Sequence, residues 1–157
     1  TWGIQGLDIL GRKVQMHDGA AVAILREEIQ NTIDAAASHK ALTGQCTKLE
    51  AALSQMEETV KIVAACEDKA LALANATIFL DAAGHIVIAW MWLKQAIAAS
   101  DGLANGSAAD AAFYQGKLAA TQFFFRYELP KACAGLALVS ELDSTCYDLT
   151  AEQFLGA

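Results

Sequence analysis

Residues Lys69–Ser100, KALALANATIFLDAAGHIVIAWMWLKQAIAAS, restrict the possible folds of this chain more than any other stretch. Only Lys69, Asp81 and Lys94 carry a full charge there, and no Pro interrupts the run. Ala and Leu dominate it, and both are strong helix formers. As one helix the run would be about 48 Å long at ~1.5 Å per residue. It is apolar nearly all the way round, so it needs partners on most sides. A bilayer span is the competing reading for an apolar run of this length. Asp81, Gly84 and His85 sit in its middle, and a carboxylate at a bilayer centre is expensive. The expectation is a buried bundle helix and no membrane span.

The rest of the chain supports a bundle. Its 157 residues suit one domain with a real core. They are 55% hydrophobic with a single Pro, and the β-branched residues are scattered, which favours packed helices over sheet. The net charge of −7, with no basic patch, argues against nucleic acid as a partner. Cys46, Cys66, Cys133 and Cys146 form no C-x-x-C pair and no zinc spacing. Cys46 lies on an apolar stripe, the place of a reduced, core-packed thiol, so the expected location is the cytoplasm. No signal peptide is expected. A start at Thr1 instead of Met is read as a processed or truncated piece.

Helix periodicity orders the elements. Thr1–Lys13 reads as a short amphipathic helix ending near Gly11, and Gln15–Gly19 as a turn with Asp18 as the next N-cap. In Ala20–Lys40, Val22, Leu25, Ile29, Ile33 and Ala36 share one face, while Arg26 and Glu27 fall off it. Leu42, Cys46, Leu49, Leu53, Met56, Val60 and Val63 alternate steps of 4 and 3, a heptad seam ending near Cys66. Glu67 and Asp68 suit the first turn of the helix that follows. Asp101–Gly106, DGLANG, reads as a flexible connection, and Ser107–Asp110 as a capping box. An aromatic-rich helix then runs to about Ser140, with Pro130 kinking or ending it near Leu129. A last capping box, Thr150–Gln153, opens a short terminal turn. The expected fold is all-α: an up-down antiparallel four-helix bundle with a short helix at each end.

Self-contained chemistry is scarce. No Glu has His three residues on, so the Glu-x-x-His ligands of bundle di-iron sites are missing and no metal site is expected. Asp81 and His85 share a helical face and read as a hydrogen-bonded polar pair inside the bundle. Met56 and Met91 offer weak support for a haem at His85 and read better as core. His39 lacks the Lys and Gly spacing of a phosphotransfer histidine. The acid pairs Glu27–Glu28 and Glu57–Glu58 read as solvated.

The opening residues are more specific. Thr1–Trp2–Gly3–Ile4–Gln5, then Leu7–Asp8 and Gly11–Arg12–Lys13, resemble a stretch of flavin-dependent acyl-CoA dehydrogenases. There a Tyr-Glu-Gly-Thr-x-x-Ile-Gln segment carries the catalytic base and a helix follows. Asn75–Ala–Thr77, Gly84–His85 and Trp90–Met91–Trp92 look like the additional C-terminal helical domain of the larger bacterial members. So does Phe113–Tyr–x–Gly–Lys–Leu–Ala–Ala120, running on into Phe125–Arg–Tyr–Glu–Leu–Pro130. The resemblance covers essentially the whole chain and is strongest to the methylthiopropionyl-CoA dehydrogenase branch.

That family removes a proton alpha to a thioester carbonyl and passes hydride to FAD, which requires a base within hydrogen-bond reach of the substrate. The resemblance places the base upstream of Thr1, so no catalytic residue is expected in these residues. It places Thr1, Trp2 and Gly3 against the flavin, although Trp2 replaces the usual small polar residue. It implies that residues 1–13 end the catalytic core and residues 14–157 form the C-terminal bundle. The implied partners are the N-terminal domains of the parent enzyme and further copies in a homo-oligomer. FAD is implied for the parent, and none for this piece alone. The alternative is a free-standing helical binding or signalling module without catalysis.

Overall fold

A computed structural model describes residues 3–106 and 110–155. It is all-helical, with no strand among the described residues. The elements are α1 (Ile4–Gly11), α2 (Ala20–Ala35), α3 (Thr43–Ala65), α4 (Lys69–Leu73), α5 (Ala76–Asn105), α6 (Ala111–Phe123), α7 (Leu129–Ser140) and α8 (Ala151–Leu155). Short 3-10 segments join α1 to α2 and α2 to α3, and a π-helical turn, Phe124–Glu128, joins α6 to α7.

α5 is the axis of the molecule and packs against α1, α2, α3, α6 and α7. Its buried side carries Ala76, Phe79, Ala82, Ile86, Ala89, Leu93 and Ala96. The Ala positions let neighbouring helices approach closely, and Phe79, Ile86 and Leu93 fill the space between them. By length and composition α5 could cross a membrane, with a mean hydropathy of 1.5 over its most apolar window. Here it is the helix on which the others rest.

The α3 seam falls where its period places it. Leu42, Leu49, Leu53, Met56 and Val63 are buried, with Cys46 and Val60 half-buried. Polar bonds tie this helix to α7: Thr59 Oγ1 lies 2.8 Å from Ser140 Oγ, and Gln55 Nε2 donates to the Cys133 carbonyl at 2.9 Å. The terminal capping box forms both of its bonds, Thr150 N to Gln153 Oε1 at 2.8 Å and Gln153 N to Thr150 Oγ1 at 3.3 Å.

Several boundaries differ from the sequence expectation. Lys69–Ser100 is not one helix, because Asn75 leaves helical geometry at φ −107°, ψ 24°. Its side-chain amide instead donates to the Asp143 carbonyl at 2.8 Å. α4 is thereby separate, and Asp68 caps it by accepting from the amides of Ala70 and Leu71. DGLANG is not a loop, because α5 runs on to Asn105. Gly102 lies under the Tyr114 ring, where an added Cβ would come within 2.4 Å of the ring, so packing overrides the poor helix propensity of glycine. The second helix stops at Ala35 and not at Lys40, since His39 turns out of helix at φ −98°, ψ 81°. Asp18 is not an N-cap; Gly19, left-handed at φ 82°, holds that position. The Ser107–Asp110 box falls partly on residues outside those described.

Pro130 acts as its chemistry requires. It occupies the first turn of α7, where its missing N–H has no intrahelical acceptor to lose. The π-helical turn Phe124–Glu128 leads directly into it.

Candidate functional site: the seat of the amino-terminal helix

The residues tied by resemblance to a cofactor open the chain. Thr1 and Trp2 lie outside the described residues. Gly3 is the N-cap of α1, left-handed at φ 78°, a conformation glycine adopts without penalty. A Cβ built on it would stand 3.4 Å from Thr77 Oγ1, at the head of α5. Behind it α1 is seated through glycines. A Cβ on Gly6 would lie 2.7 Å from the Ala76 carbonyl oxygen, and one on Gly11 would lie 3.2 Å from Leu73 Cδ1. The spacing of Gly3, Gly6 and Gly11 thus brings the α1 backbone against the α4–α5 junction, and Leu10 is fully buried beside it.

Asp8 faces outward from this helix. Arg12 Nε donates to its Oδ1 at 2.7 Å, and Lys13 Nζ lies 3.3 Å from Oδ2. The Arg12 hydrogen bond is the main reason the Asp8 carboxyl sits below its usual range, opposed by partial desolvation and helped by Lys13. The chain then reverses through Met16, extended, and His17, Asp18 and Gly19, all left-handed, to enter α2.

A groove of about 610 Å³ opens beside this reversal, between α2 and α3. Val14, Val22, Ala23, Val60 and Ala64 form its apolar wall. Arg26 also lines it. Its Nε lies 2.8 and 2.9 Å from the two carboxylate oxygens of Glu57, Nη1 bonds Glu50 at 2.9 Å, and Nη2 bonds Ser54 Oγ at 2.9 Å. Glu50 first, then Glu57, make the guanidinium hold its proton more tightly than usual. Glu57 is therefore not a solvated acid, while Glu27, Glu28 and Glu58 keep the solvent-facing positions expected for them. Sequence reasoning missed this clamp. The only signal was that Arg26 and Glu57 each lie just off the apolar face of their helices.

Asp81 and His85 do not form a buried pair. Asp81 is exposed, and the His85 ring bonds the Asp81 backbone carbonyl at 2.8 Å. His85 Nε2 lies 3.9 Å from Glu128 Oε2, and the ring stacks on Phe124 with centroids 6.0 Å apart. Met56 is buried in the α3 seam. No group of three or more His, Cys, Asp or Glu among the described residues is placed to hold a metal. His39 Nε2 lies 3.4 Å from Asp101 Oδ1. The four cysteines are unpaired, three half-buried and Cys146 exposed.

These features define a helical domain built on one apolar axis, with a glycine-seated helix at its head. The chain belongs to the family described as "Acetyl-CoA dehydrogenase C-terminal like", whose model matches residues 25–150. It is also similar to the broad-specificity linear acyl-CoA dehydrogenase FadE5 of Mycobacterium tuberculosis, at 28% identity over 164 aligned residues that take in 98% of this chain. The chain spans 27% of the length of that relative.

Proposed function

We propose that these residues are the C-terminal helical region of a flavin-dependent acyl-CoA dehydrogenase, catalytically inert in isolation. The observation that carries this reading is the family match across residues 25–150. In the proposal, residues 1–13 close the catalytic core, and residues 14–157 form an up-down four-helix bundle that stabilises the enzyme and shapes subunit contacts in the cytoplasm. The parent would dehydrogenate an acyl-CoA thioester between its alpha and beta carbons, and Thr1, Trp2 and Gly3 would touch the FAD.

The described residues do not hold a flavin by themselves. A dinucleotide pyrophosphate needs backbone amides of a Gly-rich turn or paired cations. Beside Gly3 stand Thr77 and the head of α5, and the nearest cations along the segment, Arg12 and Lys13, are both engaged by Asp8. The segment offers one edge of a site whose remainder belongs to the upstream domains. Its own contribution is positional. The left-handed Gly3 and the glycine seat fix the angle at which the preceding chain meets the bundle.

The test is direct. The purified 157-residue chain is expected to lack flavin absorbance and to give no acyl-CoA oxidation with an artificial electron acceptor. Flavin co-purifying at one mole per mole of chain would overturn the proposal.

A further inference from the structure

Most cations of this acidic chain are matched within it. Arg12 and Lys13 meet Asp8, Arg26 meets Glu50 and Glu57, Lys61 meets Glu58, and Lys131 meets Glu128. Lys94 and Lys117 lie over aromatic rings. Among the described residues that leaves Lys40, Lys48, Lys69 and Arg126 with neither a carboxylate nor a ring. Lys69 donates to the carbonyls of Ala64 and Cys66 at the end of α3. Lys48 and Arg126 line one cavity of about 200 Å³, where the first turns of α3 face the end of α6 and the π turn. Gly44, Gln45, Gln122 and Phe125 complete its wall, which contains no acid although acids outnumber bases 18 to 11 in the chain.

Lys48 Nζ donates to the Phe125 carbonyl at 3.5 Å, which sets the ammonium at the cavity wall and leaves it two further N–H donors. Arg126 stands on the π turn, a rare helical form that often marks functional positions. A Cβ on Gly44 would meet nothing within 4 Å, so the wall is bare backbone there. We propose that this cavity binds the dianionic head of a phosphate monoester. Its two charges match the two cations, and the guanidinium offers a fork to two of its oxygens. The amides of Gln45 and Gln122 can donate to a third. A carboxylate carries one charge and would leave the second cation unmatched. Phe125 is the one large apolar side chain in the wall, so the cavity takes a head group and has no channel for an acyl chain. Once occupied, the site ties α3 to the joint between α6 and α7. The inference uses only groups within the described fold and does not rest on the flavin reading.

Inorganic phosphate is the first probe, titrated by phosphorus NMR at mildly alkaline pH, where it is doubly charged, and at constant ionic strength. The 157-residue chain should bind it saturably. Lys48→Ala and Arg126→Ala should each raise the dissociation constant about tenfold or more. Both residues are exposed, so circular dichroism should not change. Gly44→Glu adds an acid in the first turn of α3, which the helix tolerates, and should engage the cations itself and abolish binding. Lys40→Ala removes an equal charge outside the cavity and should leave binding intact. A wild-type chain without saturable binding overturns the proposal. So does a loss in Lys40→Ala as large as in Arg126→Ala, which would reveal diffuse charge attraction, or full binding in the Lys48→Ala, Arg126→Ala double variant. Acetate displacing phosphate equally well would overturn the choice of a dianion. Glycerol 3-phosphate and phosphatidylcholine vesicles containing phosphatidate then compete for the site. Displacement by the first alone assigns it to a soluble ester, and by the second alone to a lipid head group. Displacement by neither overturns the monoester reading.

Discussion

Arg26 shows how much one side chain off the apolar face can hold. Its fork reaches two carboxylates and a hydroxyl on α3, and Glu50 Oε2 remains without a hydrogen-bond partner of its own. Arg26→Ala would leave Glu57, whose side chain is 22% exposed, beside Glu50 with no cation between them. Solvent at Arg26 keeps the expected loss near the low end, about 1 kcal/mol in urea unfolding. Arg26→Lys should recover only part of it, since an ammonium cannot form the two-pronged contact. The thiols divide just as clearly. Burial pushes Cys46 and Cys133 up, so at neutral pH they hold less reactive thiolate than a free cysteine. Iodoacetamide followed by peptide mapping should label the exposed Cys146 first and Cys46 and Cys133 last.

At the scale of elements, the seating of α1 sets two effects of one substitution against each other. Gly6→Ala improves intrinsic helix propensity by about 1 kcal/mol. It also drives a Cβ to 2.7 Å from the Ala76 carbonyl oxygen, a backbone atom that cannot swing aside. The steric term should win, because α1 must lift from α5 to relieve it. Hydrogen exchange should then quicken over residues 4–11, with little change in α3. Legibility also varies by element. The α3 seam could be read directly, since its period is carried by residues whose burial does not depend on distant detail. The break at Asn75 could not, because the Asp143 carbonyl that holds its side chain is 68 residues away. DGLANG misled for a related reason: two glycines mark flexibility locally, yet the Tyr114 ring needs one of them inside a helix. In the candidate site, Gly3 and its neighbours were legible only through resemblance, while the Arg26 clamp required the relative placement of two helices.

For the whole molecule, the central position of α5 predicts its cooperativity. A helix that contacts α1, α2, α3, α6 and α7 cannot lose one neighbour without exposing apolar surface to the others. Trp90 and Trp92 lie on it, and Trp90 Nε1 donates to Thr32 Oγ1 of α2 at 2.7 Å. Tryptophan fluorescence and far-ultraviolet circular dichroism should therefore report coincident thermal transitions. Separated midpoints would mean that α6 and α7 unfold apart from the rest.

The α4–α5 junction carries one more consequence. α1 is seated on it through Gly6 and Gly11, and the segment after α7 is fastened to it through Asn75 and Asp143. The opening and closing stretches of the chain thus share a single anchorage. A fusion partner hung on either terminus pulls on the same joint, and strain introduced at one end will be felt at the other.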